Sequence, residues 1–199
     1  WGDYDNDGFP DFFATSRQLW HNDNGIGFTD VSEILPELPP EVDVTLAAAF
    51  GDVNDDGFLD LYIGGYESWP TDYWSDALLI NNAGESFDLV YTQNPPQPAR
   101  GITTFDFDED FDLDIYTSNY RLEPNLLWQN DGQGNLTDVA AELGATGGSG
   151  HTIGSAVGDI DNDGHLDLFV GNFSHAGQPA AMFLRNTGPE GGYAFELMN

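Results

Sequence analysis

Hydrophobic and polar positions form short apolar or alternating runs along most of the chain, and these runs are too brief for long helices. Four runs rich in β-branched and aromatic residues follow directly after an acidic segment: 11–14, 59–64, 113–117 and 166–171. Three runs of small and β-branched residues directly precede an acidic segment: 45–50, 101–105 and 152–157. Such runs, ended by Gly, Ser or Asn, predict β-strands. Each acidic segment is therefore expected to join two antiparallel strands as a hairpin.

A second hairpin is predicted in every repeat, because two further apolar runs flank an Asn- and Gly-rich turn. These stretches are 19–31, 79–90, 127–139 and 183–195. The whole pattern recurs every 49 to 54 residues. Four strands in about 50 residues match the size and content of one propeller blade.

The period predicts an all-β fold of β-propeller blades: four four-stranded antiparallel blades, the first lacking its opening strand. We expect a single β-propeller region over 1–199 that is part of a larger propeller, with blades at approximately 1–40, 41–95, 96–145 and 146–199. One or two helical turns are predicted within 137–144, with Gly144 as the stop. The remaining strand-poor stretches are predicted to be surface loops: 32–44, 66–77, 92–100 and 140–151.

The acidic segments place oxygen-bearing side chains at positions 1, 3, 5 and 9, with Gly usually at position 6. The candidate ligands are Asp3, Asp5, Asp7 and Asp11; Asp52, Asn54, Asp56 and Asp60; Asp106, Asp108, Asp110 and Asp114; and Asp159, Asp161, Asp163 and Asp167. A ligand set made only of oxygens selects a hard cation, and a flexible loop rich in carboxylates favours Ca²⁺ over Mg²⁺. The sequence therefore predicts up to four calcium ions.

Two alternatives bear on the calcium prediction. An EF-hand is excluded because it needs flanking helices and a Glu at position 12, where this chain has Ala14, Ile63, Thr117 and Val170. Asp, Asn and Gly also form turns without any metal, but four copies in phase favour calcium. The third copy has Phe111 where Gly is expected, so we expect its loop to shift its backbone or to bind more weakly.

Charge and composition exclude several classes of function. The chain has 35 acidic residues against four arginines and no lysine, for a net charge of −31. It therefore lacks the basic surface that nucleic-acid binding requires, and an anionic membrane surface would repel it. Eighteen of the acids lie in the four segments, which favours cation binding over a halophile-like acidic surface.

Cysteine content and hydropathy exclude further kinds of site and of protein. The absence of cysteine excludes disulfides and thiolate metal sites. No apolar run is long enough to predict a transmembrane helix, so membrane insertion is not expected. The chain opens at Trp1, in the middle of a repeat unit, and we expect it to be a fragment or processed product of a longer protein.

The motifs carry a family resemblance. Phe50-Gly51-Asp52 and the segment 159–172, with its Asp-x-Asp-x-Asp-Gly-x-x-Asp and Leu-Phe-Val-Gly-Asn elements, resemble the FG-GAP and VCBS repeat family, which includes integrin α subunits. The stretch 127–139 resembles the cartilage acidic protein and its bacterial branch. This resemblance implies a propeller with structural calcium between the first two strands of each blade, in a secreted or cell-surface protein. It leaves the function open.

Recognition is predicted on the face opposite the acidic loops. Trp69, Tyr73 and Trp74 lie there beside carboxylates, an arrangement that suits sugar stacking or a protein anchor. The alternative is that these rings fold back and cover the blade edge. Catalysis is not expected, because the four histidines fall in different repeats without a catalytic motif, and each is predicted to be a surface or turn residue.

The sequence favours an extracellular, calcium-binding, non-enzymatic propeller that acts in adhesion or ligand recognition, with an extracellular protein or glycan as its partner. Two alternatives remain open. One is a structural subunit that self-associates through its open blade edges. The other is a calcium-dependent polysaccharide-active enzyme, against which the absence of lysine and the scarcity of arginine count.

Overall fold

The computed structural model describes residues 1–68 and 72–198, which form antiparallel β-sheets with very little helix. The chain divides into two compact units, Trp1–Gln97 and Pro98–Asn199. Each unit contains two sheets of three or four strands in sequence order, and the first unit also contains a small two-stranded sheet. This arrangement confirms the predicted all-β fold class with propeller-type blades.

The first unit contains a three-stranded sheet followed by a four-stranded sheet. The first sheet contains β1 (Phe12–Ala14), β2 (Gln18–Asn22) and β3 (Phe28–Asp30). The second sheet contains β4 (Thr45–Gly51), β5 (Asp60–Gly65), β8 (Ala77–Asn81) and β9 (Phe87–Thr92). In the first sheet a single bridge between Gly2 and Asp11 stands where an opening strand would pair. The predicted lack of that strand is therefore confirmed within the described residues.

The stretch 66–77, predicted to be a surface loop, contains regular structure. Strands β6 (Glu67–Ser68) and β7 (Asp72–Tyr73) pair there as a small antiparallel sheet. The loop prediction was wrong at this point because the stretch carries Pro and acidic residues and lacks the Asn-Gly turn that marks the other hairpins. The stretch 32–44 contains two short 3₁₀ helices, Ser32–Ile34 and Pro40–Val42.

The second unit contains two four-stranded sheets. The first contains β10 (Ala99–Phe105), β11 (Asp114–Asn119), β12 (Leu126–Asn130) and β13 (Leu136–Asp138). The second contains β14 (Thr152–Gly158), β15 (Asp167–Asn172), β16 (Met182–Asn186) and β17 (Phe195–Leu197). Between them lies α1 (Ala140–Leu143), which ends at Gly144 with φ 79°, as predicted. A 3₁₀ helix spans Pro189–Gly191.

Small residues allow the first strands of the two sheets in the second unit to approach closely. A Cβ placed on Gly101 of β10 would lie 2.9 Å from the Gly154 Cα of β14. Each of these strands also has a register shift just before that glycine, between Ala99 and Gly101 and between Thr152 and Gly154. The small residues of these opening strands thus permit close packing, whereas no pattern in the sequence marks the register shifts.

The hydrophobic core of each unit lies between its two sheets. In the first unit Tyr4 and Leu19 pack with Leu61, Ile63, Leu79 and Phe87. In the second unit Phe105, Phe107, Tyr116 and Leu127 pack with Leu168, Val170, Leu184 and Phe195. Position 2 of an acidic segment takes part directly, since the Tyr4 ring lies 6.0 Å from Phe87 and the Phe107 ring 6.3 Å from Phe195. Burial of such a ring contributes about 1.5–3 kcal/mol.

Candidate cation sites

The four acidic segments adopt one backbone conformation. Position 4 is left-handed in every loop, with φ between 59° and 62° at Asn6, Asp55, Glu109 and Asn162. Position 6 is also left-handed, with φ 93° at Gly8, 89° at Gly57, 73° at Phe111 and 95° at Gly164. Two left-handed residues two positions apart turn the loop sharply, so that its side chains converge on its own interior.

The aspartate at position 9 anchors each loop to its sheet. Asp11, Asp60, Asp114 and Asp167 are at most 1% exposed. One carboxylate oxygen of each accepts the backbone N–H of position 2, at 2.8 to 3.1 Å. The other accepts the backbone N–H of the Asn that ends β2, β8, β12 or β16, at 2.7 to 2.9 Å. One side chain thus connects the acidic hairpin to the second hairpin of the same sheet.

The aspartates at positions 1 and 5 hold the loop closed. The carboxylate at position 1 accepts the N–H of position 6 in all four loops, at 2.8 to 3.1 Å. The carboxylate at position 5 accepts the N–H of position 7, at 2.8 to 3.0 Å. These bonds leave lone pairs on the same oxygens, because each carboxylate oxygen can accept twice.

The carboxylates of three loops are assembled closely enough to share a metal ion. The groups Asp3, Asp5 and Asp7; Asp106, Asp108 and Asp114; and Asp159, Asp161 and Asp167 each offer oxygens within 4.8 Å of one another. In the second loop Asn54 stands at position 3, and its side-chain oxygen accepts the Asp56 N–H at 3.2 Å.

The third loop supplies the clearest sign that the donors suit a cation. Among the described residues, Asp106 Oδ1 and Asp108 Oδ1 are buried and have no hydrogen-bond donor. Buried oxygens without a donor are costly unless a cation or water satisfies them. Oxygen donors alone fit a hard divalent ion, so the residues present fit such a group.

Burial also changes the acidity of the anchoring carboxylates. It raises the pKa of Asp60 to about 6 and that of Asp114 to about 8, against the opposing effect of the backbone hydrogen bonds. Burial raises the pKa of Asp11 as well. A divalent cation beside these oxygens would favour their ionised forms and offset that penalty.

Phe111 keeps the left-handed backbone of the glycines, but the third loop lacks two hydrogen bonds that the other three loops make. The Phe111 N–H bonds Asp106 at 3.1 Å as in the other loops, and the Phe111 ring is 89% exposed. In the other three loops the N–H of position 5 also donates to the side-chain oxygens at positions 1 and 3, whereas Asp106 Oδ1 and Asp108 Oδ1 receive no donor. The expected change in the third loop is therefore seen at position 5, and weaker binding stays a prediction. Phe111 itself adopts a conformation that costs a side-chain-bearing residue about 1 kcal/mol or more.

Replacing Phe111 with Gly is expected to stabilise the protein by about 1 kcal/mol, because the left-handed strain disappears. Phe111→Ala removes the same exposed ring but keeps a Cβ, so it should change stability little. Urea unfolding of both variants measures the difference. Equal stabilities for the Gly and Ala variants would contradict the strain argument.

In each unit the acidic loop of the first sheet is bonded to the second sheet. Asn81 Nδ2 donates to the Tyr4 carbonyl at 2.7 Å, and Asn186 Nδ2 donates to the Phe107 carbonyl at the same distance. The Asn at the end of a third strand thus binds the preceding sheet's acidic loop. A rigid acidic loop would therefore also stabilise the contact between its own sheet and the next sheet of the unit.

The histidine prediction was wrong for His21 and His151. His21, in β2, lies against the first acidic loop, with Nδ1 3.2 Å from Asp5 Oδ2 and 3.4 Å from Asp11 Oδ1. His151 is only 8% exposed. The contact made by His21 joins two hairpins, so no local pattern could have revealed it.

The predicted aromatic ligand site is partly described. Trp69 lies outside the described residues. Tyr73, in β7, and Trp74 are half-buried, and the Trp74 N–H donates to the Tyr66 carbonyl at 2.9 Å. The two rings therefore lie at the end of the second sheet away from its acidic loop, on the small sheet formed by β6 and β7.

A second cluster, the Tyr120 cluster, lies at the corresponding end of the sheets in the second unit. The guanidinium carbons of Arg100 and Arg121 lie 4.1 and 5.2 Å from the Tyr120 ring centre. His151 packs on the same ring at 4.6 Å, and His175 contacts His151 at 5.9 Å. Two of the four arginines of a strongly acidic chain thus share one tyrosine, a grouping that sequence reasoning missed because Arg100 and Tyr120 lie on different strands or loops.

Comparison with known families agrees with this geometry. The model of the FG-GAP-like repeat matches residues 3–63 and 106–170, which contain all four acidic loops. The chain belongs to the FG-GAP-like repeat family. The family assignment confirms the resemblance drawn from the motifs.

Relatives of this FG-GAP-like chain include cartilage acidic protein 1 from three vertebrates. The human protein is 28% identical over 192 residues, which cover 92% of this chain and 28% of the relative. The mouse protein is 26% identical over 191 residues, with the same shares. The Xenopus tropicalis protein is 29% identical over 143 residues, covering 68% of this chain and 22% of the relative. The chain therefore spans 22% to 28% of the length of the curated relatives that it matches.

Over residues 1–68 and 72–198, no helix has the length and apolar character that a membrane span requires.

Proposed function

We propose that this chain is a calcium-binding β-propeller repeat region of an extracellular protein that acts in adhesion or ligand recognition and has no catalytic role. Up to four Ca²⁺ ions would be structural, one in each acidic loop. The observation that carries the proposal is the repetition of one loop conformation with oxygen donors at positions 1, 3, 5 and 9. The buried, donorless oxygens of Asp106 and Asp108 support it independently.

The cation would act by stiffening the hairpins. In each loop the side chains at positions 1, 3, 5 and 9 would hold it, and the bound ion would supply charge neutralisation among clustered carboxylates. In the first loop Asp11 already joins the two hairpins of its sheet, and Asn81 of the next sheet binds that loop. A rigid loop would thus keep the two sheets of a unit in register and present their opposite ends as stable surfaces.

The recognition surfaces would be those opposite ends. Tyr73 and Trp74 offer stacking area in the first unit, and the Tyr120 cluster offers aromatic area together with arginine in the second. Aromatic and arginine side chains are the usual anchors of binding surfaces, and arginine pairs well with carboxylates and sulfates. The partner would be an extracellular protein or glycan, and an acidic glycan or acidic protein segment best suits the Tyr120 cluster.

The proposal is tested by binding of the calcium-loaded protein to arrays of acidic and neutral glycans and of matrix proteins. Tyr120→Ala is expected to weaken binding to an acidic partner about tenfold, equivalent to about 1.4 kcal/mol. Arg121→Gln should weaken it in the same direction. Arg17→Gln removes the same charge from the first unit, where Arg17 pairs with Asp43, and should leave binding unchanged. No binding to any array member, or equal binding by all variants, would contradict the proposal.

A further inference from the structure

One position brings the second hairpin of a sheet against its acidic loop. It is the residue just before the Asn that ends β2, β8, β12 or β16, and it is His21, Ile80, Gln129 or Arg185 in the four sheets. Gln129 Nε2 donates to Asp108 Oδ2 at 2.6 Å, and an Arg185 nitrogen lies 3.7 Å from Asp161 Oδ2. His21 Nδ1 lies 3.2 Å from Asp5 Oδ2. In each of these three sheets the side chain therefore reaches position 3 of the loop.

His21 differs from the other three because a neutral imidazole offers a nitrogen lone pair to a metal. Its Nδ1 is buried, and it makes no hydrogen bond of acceptable geometry within the described part of the chain. Yet the same atom lies between two carboxylates, 3.2 Å from Asp5 Oδ2 and 3.4 Å from Asp11 Oδ1. This buried nitrogen points between two carboxylates and forms a hydrogen bond with neither. That is the arrangement expected of a metal ligand.

The spacing of these atoms suits one small cation. Ligands about 2.1 Å from a tetrahedral ion lie about 3.4 Å from one another, close to both distances at His21. The Nε2 atom lies 3.9 Å from Asp7 Oδ2, beyond hydrogen-bond distance. A metal bound at Nδ1 would leave the ring hydrogen on Nε2.

We infer that the first acidic loop is a mixed nitrogen and oxygen site for a divalent transition metal ion of the zinc type, with His21, Asp5 and Asp11 as ligands. The inference rests on the proposed function in that it takes the loops to be cation sites. Distance alone does not select the ion, but the nitrogen does, because Ca²⁺ takes oxygen ligands whereas imidazole suits Zn²⁺ and its neighbours. The other three loops lack a histidine at this position and stay oxygen-only.

The test titrates Zn²⁺ into the whole chain by calorimetry, in a buffer that already contains millimolar Ca²⁺. One Zn²⁺ is expected to bind tightly. His21→Gln copies the residue of the third sheet and His21→Ile that of the second. Each variant removes a metal ligand. Its affinity for Zn²⁺ should therefore fall by more than about 10–100-fold, which is the loss expected when only a group that supports a metal ligand is removed. Calcium binding at the other loops should be unchanged in both variants.

Imidazole ¹⁵N NMR of the unmodified chain gives a readout that needs no variant. The Nδ1 resonance of His21 should shift much further on addition of Zn²⁺ than on addition of Ca²⁺, because only Zn²⁺ is expected to bond the nitrogen. Gln129→His provides a gain-of-binding control, since it should create a second Zn²⁺ site in the third loop. Equal Zn²⁺ affinity with and without His21, or Ca²⁺ binding with no Zn²⁺ preference, would overturn this inference while leaving calcium binding intact. Failure of the chain to bind either ion would overturn the proposed function as well.

Discussion

Removal of calcium with excess EGTA is expected to lower the melting temperature of this protein. Ca²⁺ at tenfold excess over its dissociation constant adds about 1.4 kcal/mol per occupied loop, because the ligands converge only in the folded state. In a chain of this size each kcal/mol corresponds to about 2–4 °C. Scanning calorimetry in Ca²⁺ and in EGTA measures the difference directly.

Ionic strength needs its own control, because a net charge of −31 is itself destabilising and is screened by salt. Sodium chloride at matched ionic strength should recover only part of the calcium effect. Mg²⁺ should also recover less, since it demands a stricter octahedron and keeps its waters. Superimposable melting curves in Ca²⁺ and EGTA would contradict the calcium assignment.

The buried carboxylates at position 9 of the acidic loops determine how the stability of the calcium-free protein depends on pH. The pKa values of Asp60 and Asp114, about 6 and about 8, lie above the usual 3.8. At pH values between the usual pKa and these raised pKa values, the native state binds more protons than the unfolded state. The free energy of unfolding should therefore fall as pH rises from about 4 towards 6 and 8. Bound calcium requires the ionised forms, so the calcium-loaded protein should gain stability relative to the calcium-free protein over that range.

Asp60→Ala, studied in saturating calcium, is expected to destabilise the protein by about 2–6 kcal/mol. The carboxylate accepts the N–H groups of Val53 and Asn81 at 2.9 and 2.8 Å. Loss of an acceptor costs about 1–3 kcal/mol for each buried donor, and loss of the cation adds to this. Urea unfolding of the variant beside the unmodified protein provides the measurement.

Asp55→Asn is the matched control for Asp60→Ala. It removes a charge from the same loop at an exposed position, and Asn tolerates the left-handed φ of 62° found there. Its stability should change little. In EGTA the cost of Asp60→Ala should shrink, because the unmodified protein then bears the full penalty of a buried carboxylate. A loss no larger than that of Asp55→Asn would show that position 9 does not anchor the loop.

The features that sequence reasoning anticipated are local and periodic. Four acidic segments in phase located the hairpins, and the Asn- and Gly-rich turns located the second hairpin of each sheet. Gly144 marked the end of α1 because helices commonly end in a left-handed conformation, which glycine adopts most readily. Each of these signals lies within a few residues of the element that it specifies.

The features that were missed depend on contacts between distant parts of the chain or on tolerated strain. His21 and Asp5 lie in different hairpins, and Arg100 and Tyr120 lie on or beside different strands. Neither pair has a spacing in the sequence that would identify the contact. Phe111 departed from the glycine rule, but its ring is in solvent and the loop hydrogen bonds hold its backbone. Strain of about 1 kcal/mol is small beside the interactions that fix the loop.

Direct counting of bound calcium tests the central claim most closely. Equilibrium dialysis of the chelator-stripped chain against graded Ca²⁺ up to several millimolar, with Asp60→Ala and Asp114→Ala in parallel, gives the number of sites. The unmodified chain is expected to bind Ca²⁺ at the second, third and fourth loops and at the first where no transition metal competes, and each variant should lose one site. Absence of saturable binding, or variants that bind as many ions as the unmodified chain, would contradict the account.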